Sequence, residues 1–170
     1  MPGFHVNDLK SNINSLARGY LFNVYFTAAP VPVVGGENKT AYLVRATNLP
    51  ESVIDPIEVP WQGQVYKIGS THVFNEWVCT FNVDSDAEIL RNFFEWQRLV
   101  HDPETNVQGD PSIYMGEVVA ELLDVNGDPI SQYVLRQCWP SNIGPVELAQ
   151  DNKDVSQVEI TMQYQWHSIF

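Results

Sequence analysis

Residues 157–166, near the C-terminus, read QVEITMQYQW and place a strong limit on the possible fold. Apolar and polar side chains alternate from end to end, which is the period of a β-strand with one buried face. The apolar set is Val158, Ile160, Met162, Tyr164 and Trp166, and the polar set is Gln157, Glu159, Thr161, Gln163 and Gln165. The polar set has no lysine or arginine. The stretch therefore predicts a strand whose polar face meets water or something that must not bind tightly.

The remaining strand patterns are short and closely spaced, which favours antiparallel pairing. We expect strands at residues 20–27, 41–49 and 73–83. The strand at 20–27 has aromatic residues on both faces, so we expect it to be central or covered on both sides. Residues 28–40 and 101–115 are expected to form irregular loops, and 138–148 a turn-rich corner.

Two β-hairpins are predicted. Residues 116–137 surround Asn126-Gly127, a dipeptide typical of a type I′ turn. Residues 50–69 hold three prolines and a Gln62-Gly63 turn. Because proline is tolerated only at sheet edges, we expect this second hairpin to project from the body. Its apolar residues are too many for a free loop, and they predict an inter-ring or subunit interface formed by Val53, Ile54, Ile57, Val59 and Trp61.

One substantial helix is predicted at residues 85–100, where the apolar period changes to that of a helix. Ser85 and Glu88 have the spacing of a capping box. We expect Phe93, Trp96 and Val100 to pack against the sheet or a neighbouring subunit. A shorter helix is predicted at residues 7–18. With six or seven strands and no linker, residues 1–170 are expected to form a single domain.

Charge narrows the possible partners. The 170 residues include 9 basic and 21 acidic ones, a formal net charge of −12. This balance argues against a protein that grips nucleic acid or an anionic membrane, because both depend on lysine and arginine. We find no apolar run long enough for a membrane span and no secretory signal pattern. Cys79 and Cys138 are expected to be reduced core residues.

Catalytic motifs are absent from the sequence. His5, His72, His101 and His167 are scattered without metal-ligand spacing, and DVNGD at 124–128 is better explained by a turn than by a calcium loop. The pair Glu117 and Glu121 is one of many acidic pairs expected by chance. We therefore predict no enzyme activity, no metal and no cofactor.

The order of several short motifs resembles the tail tube proteins of contractile-tailed bacteriophages. The motifs are RATNLP (45–50), the proline-rich hairpin with Trp61 and Gly63, FNEWVCTFNVD (74–84), FFEWQ (93–97), CWPSNIG (138–144) and the terminal YQW (164–166). The resemblance runs from about Gly19 to Trp166. It implies a mainly β fold: an antiparallel β-barrel or sandwich with one flanking α-helix.

The resemblance also implies a structural role in the virion tail. Six copies would form a ring, with their sheets joined edge to edge, and the rings would stack into a hollow tube assembled in the bacterial host cytoplasm. The implied partners are the tail sheath, the baseplate, the tail terminator, a tape-measure protein in the lumen, and genomic DNA that passes without specific binding. On this interpretation Gln157, Glu159, Thr161 and Gln163 face the lumen.

Two alternatives remain open from the sequence. One is the inner tube of an extracellular contractile injection system, which would carry protein effectors and share the fold and interfaces. The other is a carbohydrate-binding β-sandwich that uses Trp61 and Trp139 as stacking platforms.

Overall fold

The computed structural model describes residues 16–31, 37–151 and 153–170. The helix predicted at 7–18 lies largely outside these residues, and its described part, 16–18, is not helical. The strands are β1 Phe22–Ala28, β2 Val44–Thr47, β3 Val53–Trp61, β4 Gln64–Val73, β5 Trp77–Asn82, β6 His101–Asp102, β7 Val107–Gln108, β8 Gly116–Leu123, β9 Pro129–Ile143, β10 Gln157–Gln163 and β11 Trp166–Ile169. The helices are α1 Glu37–Leu43, α2 Glu88–Val100 and α3 Pro111–Tyr114.

One antiparallel sheet organises the chain, in the order β1-β8-β9-β10-β5-β2, with β11 also paired to β9. Strand β9 is long and changes partner along its length: residues 129–138 pair with β8, and residues 139–143 pair with β10. A bulge at Gln137, whose φ is 56°, marks the change. We call β1, β8, β11 and residues 129–138 the β8 layer, and β2, β5, β10 and residues 139–143 the β5 layer.

The two layers share one core, and α2 closes it. The Phe93 ring of α2 lies 5.8 Å from the Phe26 ring of the β8 layer and 5.4 Å from the Phe81 ring of the β5 layer. Trp96, also fully buried, donates its indole N–H to the Tyr114 carbonyl oxygen at 2.6 Å. Phe93 therefore contacts both layers and Trp96 joins α2 to α3, and the mainly β fold with one flanking helix is confirmed.

Several element boundaries differ from the sequence predictions. Strand β1 lies at an edge of the sheet and is not central, but Val24 and Phe26 are buried on one face and Tyr25 is half-buried on the other, so the strand is partly covered on both sides. Residues 41–43 end helix α1, which leaves only 44–47 of the strand expected at 41–49. The expected corner at 138–148 is strand as far as Ile143, because β10 pairs with it. Within the loop expected at 101–115 lie the short strands β6 and β7 and helix α3.

Local turn chemistry also departs from expectation. The capping box is wrong: α2 starts from Ala87, which has a left-handed φ of 49° and makes no side-chain cap bond. The turn at Asn126-Gly127 has a positive φ at Gly127 only, and Asp124 N–H donates to the Asp128 carbonyl at 2.8 Å. It is therefore a longer, bulged connection. Positive φ at two successive residues, as a type I′ turn requires, occurs instead at Gln62 and Gly63.

Candidate functional site

The alternating stretch at residues 157–166 contains strand β10, which lies at the centre of the β5 layer. Val158, Ile160 and Met162 are buried on one face. The strand ends at Gln163, so Trp166 belongs to β11 and is 44% exposed, which corrects its predicted place on the buried face. Tyr164, between the two strands, is buried.

The polar face of β10 is not uniformly exposed. Glu159 is exposed, and Gln157 and Gln163 are half-buried. Thr161 is buried, at 8% exposure. The neighbouring residues in register are uncharged: Asn82, Thr80 and Val78 of β5, and Asn142 and Trp139 of β9. The face is thus a broad, mostly neutral polar surface centred on one carboxylate.

A groove of about 540 Å³ lies beside this polar face. Gln157 and Glu159 form part of it, and the connection between β9 and β10 adds Glu147, Asp154 and Ser156. Three carboxylates and no lysine or arginine line the groove, so its local potential is negative. Such a surface disfavours binding of phosphate groups.

The hairpin formed by β3 and β4 has two different faces. Cross-strand partners share a face, and the register pairs Ile57 with Ile68 and Val59 with Tyr66. With Trp61, these four residues make one apolar face. The opposite face carries the pair between Lys67 Nζ and Glu58 Oε1, at 3.1 Å, and, nearer the turn, Pro60 and the exposed Val65. The projecting hairpin therefore has one uncharged apolar face and one mixed face.

The five residues predicted to form the hairpin interface do not all lie on the same face of the hairpin. Ile57, Val59 and Trp61 share the apolar face, whereas Val53 and Ile54 lie at the base of the hairpin beyond a register shift. Sequence reasoning missed Tyr66 and Ile68. The signal that identifies them is the Gln62-Gly63 turn, because a two-residue turn fixes which residues of the two arms face each other.

Helix α2 places the predicted packing residues differently along its length. Phe93 and Trp96 are fully buried, and Val100 is partly buried against the core. Phe94, the next residue along, is 51% exposed. It lines an apolar groove of about 550 Å³ between α2 and β9 together with Pro103, Trp139 and Pro140.

The β5 layer has two open edges among the described residues. At one edge, β2 pairs only with β5, through a short ladder with a register shift. At the other, residues 139–143 of β9 pair with β10 but lie beyond the last β8 pair, Gly116 with Cys138. Unpaired strand edges are templates for another chain.

Among the described residues, the cysteines and the potential metal ligands do not form a reactive site. Burial raises the pKa of the Cys79 and Cys138 thiols to about 12, so both are inert. Within the described ranges, no cluster of histidine, cysteine and acidic side chains has the arrangement of a metal site. The same residues include no helix long and apolar enough to cross a membrane.

Comparison with known proteins finds that the chain is similar to tail tube proteins. A family model described as phage tail tube protein matches residues 18–170. A tail tube protein of Serratia phage KSP90 is 32% identical over 114 residues, which cover 66% of this chain and 64% of that protein. Tail tube protein gp19 of Enterobacteria phage T4 is 22% identical over 130 residues, 75% of this chain and 79% of gp19.

Solved structures extend the fold likeness beyond phages. A chain of the sheath–tube complex of an extracellular contractile injection system (PVC) superimposes with a TM-score of 0.68, 13% identity and 99% coverage of both chains. A chain of the anti-feeding prophage baseplate gives 0.68 and 13%, covering 93% of this chain and 97% of that one. These identities establish the fold alone. The family match over nearly the whole chain goes further: this protein belongs to the phage tail tube protein family.

Proposed function

We propose that the chain is the structural subunit of the inner tail tube of a contractile-tailed bacteriophage, and that six copies form each ring. One observation carries the proposal: the β5 layer has an open edge on each side of a lysine-free polar face. If β2 of one copy pairs with residues 139–143 of the next, the layers join into a closed barrel and both edges are satisfied.

The polar face of β10 then lines the lumen, with Gln157, Glu159 and Gln163 exposed to it and Thr161 largely covered. Six copies would carry about −72 formal charges per ring. Neutral amides and carboxylates make no lasting phosphate contacts, so DNA slides past them. The same lumen would hold a tape-measure protein before ejection.

The hairpin provides contacts along the tube axis. Its nine or ten residues per arm reach about 30 Å, at roughly 3.3 Å per residue, so the turn at its tip lies far from the sheet. Its apolar face would be covered by another copy. The outer surface of the tube would meet the sheath, and the two tube ends the baseplate and the tail terminator.

Electron microscopy of the purified protein tests the proposal directly. Hollow tubes or stacked rings are expected, while dispersed monomers at assembly concentrations would contradict it. Deleting residues 55–64 should leave a folded subunit that does not elongate. Tubes of normal length from that deletion would remove the hairpin from the assembly.

A tube that carries protein effectors is a second candidate, favoured by the fold likeness to injection-system chains. Its ring would use the same edges and hairpin. The cargo found in tubes purified from cells separates the two. The carbohydrate-binding alternative gains no support, because Trp61 lies on the hairpin while Trp139 packs against Tyr114, with ring centroids 6.4 Å apart.

A further inference from the structure

The hairpin and the β9–β10 connection leave the β5 layer at opposite ends. Strand β5 begins at Trp77, where the hairpin returns to the body, and Trp77 pairs with Met162. It ends at Asn82, which pairs with Gln157, the first residue of β10. The connection 144–156 enters β10 at that second end. Copies stacked head to tail along the strand direction would therefore bring the hairpin of one towards the connection of the next.

The two arms of the hairpin enclose an open hollow of about 420 Å³ near the tip. It is lined by Val59, Trp61, Gln64, Val65 and Tyr66. Both aromatic rings are exposed, Trp61 at 71% and Tyr66 at 68%. The hollow is open and mostly apolar, so it suits an aliphatic side chain more than a charged one.

The opposite end of the β5 layer carries a side chain of that kind. Leu148, in the connection 144–156, is 82% exposed, and Val155 of the same segment is 62% exposed. A leucine this exposed contributes no core packing to its own subunit. It is a protruding apolar group at the end where the next hairpin would arrive.

The area of the hairpin face matches a contact between proteins. At about 150–250 Å² per aromatic side chain, Trp61 and Tyr66 leave on the order of 300 Å² in water. Ile57, Val59 and Ile68 extend the patch, which takes it into or above the ~300–600 Å² range of the largest patch on an ordinary monomer. A stable interface buries about 800 Å² per partner. The hairpin patch is smaller, but the same contact would be repeated around the ring, and the copies would hold two rings together jointly.

In the proposed tube the hairpin meets another copy along the tube axis, and we infer that the group it receives there is Leu148 of that copy, seated in the hollow formed by Val59, Trp61 and Tyr66. The inference rests on the proposed tube. Rings can stack without limit only if each subunit has two different, complementary surfaces at its opposite ends. The contact between the hairpin tip and Leu148 is such a heterologous contact.

Cysteine cross-linking in assembled tubes tests the contact. The double variant Gln64→Cys/Leu148→Cys should form, under mild oxidation, disulfides that link one ring to the next. Non-reducing electrophoresis should then show a ladder extending beyond the dimer. Cys79 and Cys138 do not compete, because both thiols are buried and protonated.

The matched control pair is Gln64→Cys/Val125→Cys, since Val125 is also exposed, at 57%, but lies in the turn between β8 and β9. This pair should give no ladder. Tubes of the Leu148 pair without a ladder would overturn the inference and leave the proposed tube standing. Dispersed wild-type protein would refute the proposed tube itself, which is a different result.

A second variant avoids dependence on disulfide geometry. Leu148→Asp places a charge in the apolar hollow, and elongation should slow at least tenfold while the subunit stays folded. Val125→Asp adds the same charge elsewhere and should elongate normally. Normal elongation of Leu148→Asp would overturn the inference.

Discussion

The side chain of Gln97 in α2 donates its Nε2–H to the backbone carbonyl oxygen of Ser141 in β9, at 3.3 Å. Ser141 lies in the part of β9 that pairs with β10 only, at a register shift. The helix therefore engages one backbone acceptor at the open edge formed by residues 139–143, and occupying a strand edge in this way hinders unwanted pairing.

This contact predicts that Gln97 slows self-association of free subunits. A hydrogen bond of this kind contributes about 0.5–1.5 kcal/mol, so Gln97→Ala should shorten the lag before tube formation several-fold. Light scattering of purified subunits after dilution from denaturant measures the lag. The control is Gln108→Ala, in the short strand β7. An unchanged or longer lag for Gln97→Ala would show that the edge is not guarded by this residue.

Two adjacent phenylalanines of α2 give a matched test of the core. Phe93 is fully buried between the two layers, whereas Phe94 is 51% exposed. Phe93→Ala should lower the free energy of unfolding by about 3–5 kcal/mol, and Phe94→Ala by clearly less, because only the first leaves a cavity. Denaturant unfolding of the subunit measures both. Equal losses would mean that α2 does not pack on the sheet as described.

Much of the fold could be predicted because local patterns and tertiary context agree there. The alternation of β10, the helical stripe of α2 and the Gln62-Gly63 turn each carry their own signal in the sequence. The prolines of the hairpin predict that it projects from the body, and most of its side chains are exposed.

The misplaced elements are those that tertiary contacts decide. Pro140 in CWPSNIG suggests a turn, yet pairing with Met162 of β10 keeps it in β9. Thr161 alternates with buried residues and was expected on the exposed face, but it too is buried. The start of α2 shows the same limit: a turn closed by Ala87 N–H and the Asp84 carbonyl precedes the helix and displaces Ser85 from the capping position. Spacing alone does not reveal such contacts.

His167 predicts a pH dependence of stability. Burial lowers its pKa below the usual 6.5, and the nearby charge of His72 lowers it further. Its ring lies in an aromatic cluster at the hairpin base, 5.3 Å from Phe74 and 5.9 Å from Tyr164. The unfolded chain binds the proton more readily than the folded one, so stability is highest above pH 6.5 and falls as pH drops towards the folded pKa.

Thermal unfolding between pH 7.5 and pH 5 measures this effect. Wild type should lose more stability over that range than His167→Asn, which does not titrate. His101→Asn, at an exposed position, should behave like wild type. Asp102 and Asp110 have pKa values lowered from 3.8 by hydrogen bonds to neighbouring residues, so their contribution is lost only below this window. Identical pH profiles for wild type and His167→Asn would contradict the prediction.

Glu159 allows the most direct test of the lumen. It is the exposed carboxylate on the polar face of β10, and it points away from the buried Val158 and Ile160. In a ring of six, Glu159→Lys would change the lumen by about 12 charges and add phosphate contacts that recur in every ring. The subunit should still fold and assemble, since no core contact is lost. DNA ejection should slow at low salt and recover as salt rises, because ions screen each contact. Ejection from particles shown to contain the variant tube, followed across a salt series, provides the measurement.

Glu95→Lys, on the exposed side of α2, is the matched control and should eject DNA at the wild-type rate. Wild-type ejection by Glu159→Lys at low salt would place this face outside the channel.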